Sequence, residues 1–370
     1  MIEPVLTVNV GSSGVKLATV AATGRTSWAV TVPTPAEEGI RGITDRLPAA
    51  LRDAGGFAAV GHRLVHGGPR FTGPVRVDEE VLLKLAELSD LAPLHQPRAL
   101  AALQVVRGLR PDAEAVACFD TAFHHDLPAA AACYPVPATW RERFGLRRYG
   151  FHGLSHAHAS RHAPTLLAGR PARRVVVCHL GSGASLAAVQ TGRCVDTTMG
   201  FTPADGLVQS TRTGALDPGL LLWLLVPGRL TLPELREGIL SRGGLTALAG
   251  TGDMAEVLAA RGRGEADARL AVEVWRHRLV GEIGRMVAAL RGLDLLVFTG
   301  GVGENAPELR ALVVRELSWL GLKLDVARNE EVRGGGEGLI SWGDGPACVV
   351  VTAREDLEIA AQVRAVLDSG

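Results

Sequence analysis

Phosphate chemistry is the first reading of the residue types and spacings in this chain. Glycine turns at 11–14, 181–184 and 300–305 each follow an apolar run. Backbone N–H groups in such turns and at helix N-termini are the natural hold on a phosphate. None of the three fits GxxxxGK[ST] or a GxGxxG followed by an acidic residue. Lysine is scarce, with Lys16, Lys84 and Lys323 the only three, and Lys16 directly follows the first turn. An ammonium there can neutralise a transferring phosphoryl group or simply be a solvated strand lysine. Arg63 lies between glycines at the end of a short apolar run, and Arg212 sits in the turn-rich STRTGALDPG. A guanidinium fork at either position matches a carboxylate or phosphate. Asp120, in CFDTAFH, falls at the carboxyl end of a strand, where α/β proteins gather active groups; its structural alternative is to cap the next turn.

Ten of the eleven histidines lie between His62 and His179. His62 and His66 flank Arg63 in GHRLVHGG, His95 stands in LAPLHQP and His152 in RRYGFHG, all turns suited to an anion. Without HExxH or a nearby cysteine pair, a metal–histidine site is disfavoured, and the histidines at 156–162 read as a helix surface. Thr352-x-x-Glu355 reads as a capping box, the alternative to any metal-ordering role for Glu355.

The elements that must position these groups alternate between strand and helix. Segments 5–20 and 175–189 are similar: an apolar run, a Gly/Ser turn, then a second apolar run. Each predicts a hairpin, and together they suggest a duplication that divides the chain near its middle. Strands are predicted at 114–119, 294–299 and 347–351, with a helix over 265–292. Asn305 reads as an N-cap ahead of Pro307, and Thr352 as the opening of the last helix. The pattern is α/β. The Pro/Gly-rich stretches at 227–233 and 333–346 read as surface connections.

With 370 residues, 47 % hydrophobic and 21 % charged, the chain has the proportions of a globular protein of two or three domains. Its 39 basic and 39 acidic residues balance, which argues against nucleic acid or an anionic membrane as main partner. Five cysteines without CxxC spacing argue against disulfides and zinc knuckles. The longest apolar run, 220–226, falls short of the ~20 residues that span a bilayer. With no basic-then-apolar N-terminus, the expectation is a cytoplasmic protein.

The blocks VNVGSSGVK, GHRLVHGG, LAPLHQP, FDTAFH, RRYGFHGLSH, HLGSGAS, DTTMGFTPADGL, STRTGALDP, FTGGVGEN and REDLEIA follow one another along nearly the whole chain. In that order they resemble the acetate kinase family. The resemblance implies a duplicated actin-like ATPase (ribonuclease H-like) fold, with two lobes around a central cleft. The first lobe would hold 1–149 plus 352–370, and the second, 150–351, would bind nucleotide and dimerise. It further implies reversible, magnesium-dependent (or manganese-dependent) in-line phosphoryl transfer from ATP to acetate, giving acetyl phosphate and ADP. By resemblance Asn9 and Glu355 order the metal, and Ser12 and Lys16 lie near the phosphates. Arg63 and Arg212 hold the carboxylate and the transferring group. Asp120, His152, His95 and His179 complete the catalytic set. Nucleotide contacts fall on His179, Leu180, Gly181, Ser182 and Gly183, on Gly301, Val302, Gly303, Glu304 and Asn305, and on Asp253. Val65, Leu94, Phe151 and Pro203 form the apolar pocket for the acyl group.

The chain departs from the family pattern at several points. Ser182 stands where the family usually has Asn, and Gly14 where it has Ser. Gln209, Ser210 and Ala215 replace residues of MGTRSGD. Ala255 replaces an arginine that holds the adenine side of the nucleotide. Two rivals therefore stand beside acetate and ATP. One is a kinase for propionate or butyrate, or one using a donor such as pyrophosphate. The other is a non-catalytic nucleotide- or acyl-phosphate-binding protein.

Overall fold

The structure is a computed structural model that describes residues 4–11, 14–35, 38–93 and 95–369; Ser12 and Leu94 fall outside the described residues. Two six-stranded mixed sheets are built alike. In the first, β1 (Val5–Val10), β2 (Gly14–Val20) and β3 (Thr26–Pro33) form an antiparallel meander, while β4 (Ala59–Leu64) and β6 (Glu114–Phe119) add in parallel beside β1. The short β5 (Val75–Arg76) closes the edge antiparallel to β6, giving the order β3-β2-β1-β4-β6-β5. The second sheet repeats this. β7 (Arg174–Leu180), β8 (Ala184–Gln190) and β9 (Arg193–Thr197) make the meander, and β10 (Leu295–Thr299) and β12 (Ala347–Val350) are the parallel additions. The edge strand β11 (Gly338–Leu339) gives the order β11-β12-β10-β7-β8-β9. The strand pairs β1–β2 and β7–β8 are the two antiparallel hairpin pairs expected from the sequence, and the duplication is one of topology.

Side-chain alternation along the strands decides what lies on each face. In the first sheet Leu6, Val8, Val10, Val60 and Leu64 pack with Leu103 and Val106 of the helix Gln96–Leu109. Val5, Ala59, Val116 and Cys118 face the other way and pack under Ile359, Ala360 and Val363 of the C-terminal helix Glu355–Asp368. In the second sheet Val176, Cys178 and Leu180 are covered by the helix Ala266–Leu290. Its buried residues Ala268, Ala271, Val272, Trp275, Leu279, Ile283, Met286, Val287 and Leu290 fall along one face, the stripe of a helix with one side in the core.

The chain divides into two compact units, residues 1–125, 151–158 and 354–370 in one, and 126–150 and 159–353 in the other. Residues 354–370 group with the first unit, 126–150 with the second and 151–158 with the first, where the sequence reading drew its boundaries at 149/150 and 351/352. Three local readings are corrected. Asn305 ends the helix Gly300–Asn305 instead of capping the next one, because its side chain is committed to Gly301 O and Gly334 N–H; Ala306 is the N-cap. Thr352 does not open the last helix. Its N–H donates to Glu337 and its hydroxyl to Gly335 O, and the helix begins after Arg354. His156 lies on the expected helix, Gly153–His162, but is fully buried.

Candidate functional site

In the first unit, strand periodicity assembles a polar cluster. Asn9 continues the Val5–Thr7 face of β1 and Arg63 the Ala59–Gly61 face of β4. Asp120, just past β6, continues the face of Val116 and Cys118. Three parallel strands therefore deliver three polar side chains at their carboxyl ends, on the face covered by the C-terminal helix. This is the end of a parallel sheet where ligands bind. Glu355, in the first turn of that helix, is the fourth member, and the helix dipole favours a carboxylate there.

The four are hydrogen-bonded in series. Arg63 donates from Nε and Nη2 to the Asp120 carboxylate at 2.6–3.2 Å, a forked pair. Its Nη1 donates to Asn9 Oδ1 at 2.9 Å, and Asn9 Nδ2 donates to Glu355 Oε2. Asp120 is 1 % exposed and Arg63 14 %. Burial raises the Asp120 carboxyl above the usual range against the pull of Arg63, and the charge of Glu355 raises it further. Burial also opposes the charge on Arg63, but Asp120 and Glu355 outweigh it and its pKa is raised. The Asp120 carboxylate thus pairs with Arg63, and the following turn, Ala122–His124, has no side-chain cap. The capping alternatives for both Asp120 and Glu355 are not realised. Lys16 is the register partner of Asn9 across the hairpin, and its side chain is exposed.

Residues 151–153 are packed onto Asp120. Gly153 N–H donates to Asp120 O at 3.0 Å, and a Cβ on Gly153 would lie 2.0 Å from that oxygen. His152, its N–H on the Asp120 carboxylate, holds φ 56°, a left-handed conformation costly for a residue with a side chain. Two buried histidines brace this corner. His124 donates from Nε2 to Phe151 O at 3.0 Å, and the His66 ring meets Phe151 edge-on at 5.5 Å. His66 Nδ1 accepts from Gly68 N–H at 2.8 Å, so that nitrogen carries no proton. Burial pushes both imidazoles down to about 4. The sequence offered no signal for His124, which sits inside a motif read for its aspartate.

The second unit holds a cavity of about 460 Å³ at the carboxyl ends of β7 and β10. Seven of the nucleotide-contact residues expected from the resemblance line it: Leu180, Gly181, Ser182, Asp253, Gly301, Val302 and Asn305. Gly300, at φ 79° with Leu180 O 2.7 Å from where a Cβ would stand, makes the turn from β10 into this wall. His179, Gly183, Gly303 and Glu304 are outside the lining; Glu304 is buried, and its Oε1 accepts from Ala353 N–H at 2.9 Å. The sequence reading missed Leu245, Met254, Leu258 and Trp275, apolar lining residues indistinguishable from core by pattern. Asp253 is the one charged side chain of the lining, and its carboxylate is used to cap the helix Met254–Gly262 through Ala255 N–H.

Arg212 is half-buried, has no ion pair among the described residues, and donates from Nη1 to Gln209 Oε1 at 3.3 Å. Burial lowers its pKa. Gln209 in turn donates to Pro203 O at 2.8 Å. A residue that stood out in sequence only as a departure therefore orients the arginine. Of the acyl-pocket residues, Val65 and Phe151 are buried in the first unit and Pro203 is in the second. His95 precedes the helix Gln96–Leu109.

The acetokinase family profile matches residues 9–361. The chain belongs to the acetokinase family. An acetate kinase from Thermotoga maritima is 40 % identical over 330 residues, which cover 88 % of this chain and 82 % of that one. The crystal structure of Porphyromonas gingivalis acetate kinase superposes with a TM-score of 0.87 at 32 % identity, covering 98 % of this chain and 99 % of that chain. That of a propionate kinase from Francisella tularensis gives 0.88 at 30 % identity with the same coverage.

The family's metal can be tested against the donor set. Asn9, Asp120 and Glu355 offer amide and carboxylate oxygens only, the donors of a hard divalent cation. Arg63 is forked onto Asp120 and reaches Glu355 through Asn9, so two carboxylates flank one amide and one guanidinium. Among the described residues no group of three or more His, Cys, Asp and Glu is arranged to hold a metal ion by itself. A magnesium ion is suited to this, since it takes one or two carboxylates and completes its shell with water and phosphate. The residues fit, and Asn9 and Glu355 would hold it. No described helix is long and apolar enough to cross a membrane.

Proposed function

We propose that this chain catalyses reversible phosphoryl transfer between ATP and acetate. The observation that carries the reading is the half-buried Arg63, forked onto the buried Asp120 and tied through Asn9 to Glu355, in a chain of the acetokinase family. A carboxylate oxygen of acetate attacks the γ-phosphorus, the bond from phosphorus to the β-bridging oxygen breaks, and ADP leaves with the electron pair. Acetate is already ionised at neutral pH, so no proton moves and no general base is required. The barrier lies in bringing anions together and in charge on the equatorial phosphoryl oxygens. Arg63 and Arg212 supply positive charge against both. Asp120 keeps the Arg63 fork oriented, and His152 is set in its strained conformation by its own N–H and that of Gly153 on Asp120. The metal, when bound, neutralises phosphate charge.

The nucleotide is assigned to the cavity lined by Gly181, Gly301 and Trp275. Magnesium as the ion, the cytoplasm as the compartment and a homodimer as the assembly belong to the same reading. Leu220, Leu222, Trp223, Leu225, Val226 and Leu232 are exposed together on the second unit, which supports dimerisation there. Trapping acyl phosphate as its hydroxamate tests the function, with acetate, propionate and butyrate compared at equal MgATP. Preference for acetate by kcat/KM is expected, with one methylene worth about 1–3 kcal/mol. Preference for propionate or butyrate would move the substrate assignment, and nucleotide binding without any hydroxamate would leave a non-catalytic binder.

A further inference from the structure

Glu304 stands in the glycine-rich wall segment of the nucleotide cavity, yet its side chain does not line that cavity. It is 8 % exposed, and its Oε1 accepts from the backbone N–H of Ala353 at 2.9 Å. Its own carbonyl is gripped by Arg310, which is 1 % exposed and also donates to Gly303 O. The helix Gly300–Asn305 is thus anchored from below. One residue earlier in the chain, Thr352 N–H donates to Glu337 Oε1 at 2.9 Å, while Glu337 Oε2 is bound by His162. Two carboxylates from separate segments therefore hold successive amides of an irregular strap between β12 and the C-terminal helix. Two residues beyond Ala353 is Glu355, the partner of Asn9.

We infer that Glu304 is a positioning residue for the metal site: by fixing Ala353, two residues ahead in the chain, it sets where Glu355 begins its helix. The inference rests on the proposed function, because it takes Asn9 and Glu355 as the metal-holding pair. The backbone bond needs only an acceptor at Oε1. An amide supplies that and an apolar side chain does not.

The test is Mn²⁺ binding in the presence of ADP, followed by the EPR signal of free Mn²⁺ in the purified full chain. The variants are Glu304→Gln, Glu304→Met, which keeps the volume, and Glu304→Ala. Glu304→Met and Glu304→Ala are expected to weaken Mn²⁺ binding by about 10-fold or more, the usual cost of losing an outer partner of a metal ligand. Glu304→Gln is expected to bind as the parent does, and all three are expected to bind ADP in EDTA like the parent. Parent-like Mn²⁺ binding by Glu304→Met would overturn the inference. So would damage by Glu304→Gln equal to that by Glu304→Met, since a charge and not an acceptor would then be at work. Loss of metal-free ADP binding would make Glu304 a nucleotide contact instead. A parent chain that binds no Mn²⁺ with ADP would defeat the metal reading itself, before any variant is compared.

Discussion

Gly153→Ala is the sharpest single perturbation of the corner that carries His152. The new Cβ would lie 2.0 Å from Asp120 O and 2.9 Å from Phe123 Cβ. The first partner is backbone, so no side chain can swing away. Relieving that contact requires the 151–153 segment and Asp120 to separate by about 1 Å, and a displacement of that size is worth about 10²-fold in rate. The bond from Gly153 N–H to Asp120 O is stretched by the same movement. Overpacking of this kind costs about 1–3 kcal/mol of stability. The expected outcome is a folded variant with lowered Tm, kcat/KM for acetate down about 100-fold and unchanged binding of ADP. Gly73→Ala is the control, because a Cβ there meets nothing within 4 Å. Steady-state hydroxamate kinetics and thermal unfolding report the two quantities. If Gly153→Ala matches Gly73→Ala in both, the close approach at Asp120 has no part in positioning the site.

Arg63→Ala and Arg212→Ala should each lower turnover by about 10³-fold, as for loss of a guanidinium facing transition-state charge, but they should differ in stability. Removing Arg63 strands the buried Asp120 carboxylate and should cost several kcal/mol, about the 3–5 typical of a broken buried pair; Arg212 has no acidic partner among the described residues and its loss should leave Tm near that of the parent. Acid should destabilise the fold ahead of any effect on carboxylates. His62, with both ring nitrogens unbonded in the core, is held down to about 3 by burial, first of all, and by the charge of Arg107, and His66 and His124 to about 4. Their folded pKa values lie below the unfolded value of about 6.5, so this stability is complete above that pH and is lost as pH falls toward 3–4. At about pH 5 each imidazole removes about 2 kcal/mol, and denaturant midpoints against pH should show the decline, which His62→Leu should lessen. With no cationic side chain lining the cavity proposed for the nucleotide, where Ala255 stands, GTP should support turnover within about tenfold of ATP, a gap of about 1.4 kcal/mol; strict preference for ATP in competition kinetics would contradict this.

The parts legible in the sequence were those governed by short-range pattern. Apolar runs broken by Gly/Ser predicted both hairpins, and the alternation of strand and helix predicted the α/β class. Asp120 was picked out by its place at a strand end, where parallel sheets present polar groups, and the structure puts it in the cluster with Arg63. What escaped depended on partners distant in sequence. Thr352-x-x-Glu355 is a sound capping box locally, but Glu337 takes the Thr352 amide and Asn9 the Glu355 carboxylate. Asn305 has the composition of an N-cap, and Gly334 claims its carbonyl oxygen. His156 belongs to a polar helix with weak periodicity, so its burial could not be read from spacing. Gln209 and Trp275 entered the site through packing of loops and of a 25-residue helix whose buried stripe looks the same along its length.

Everything proposed for this chain requires that it move a phosphoryl group from ATP onto a short carboxylate. ³¹P NMR of the purified chain with MgATP and acetate tests it most directly. A new acyl phosphate resonance should grow in step with ADP and only when acetate is present. ADP accumulating with inorganic phosphate at the same rate without acetate, or ATP left intact, would contradict it.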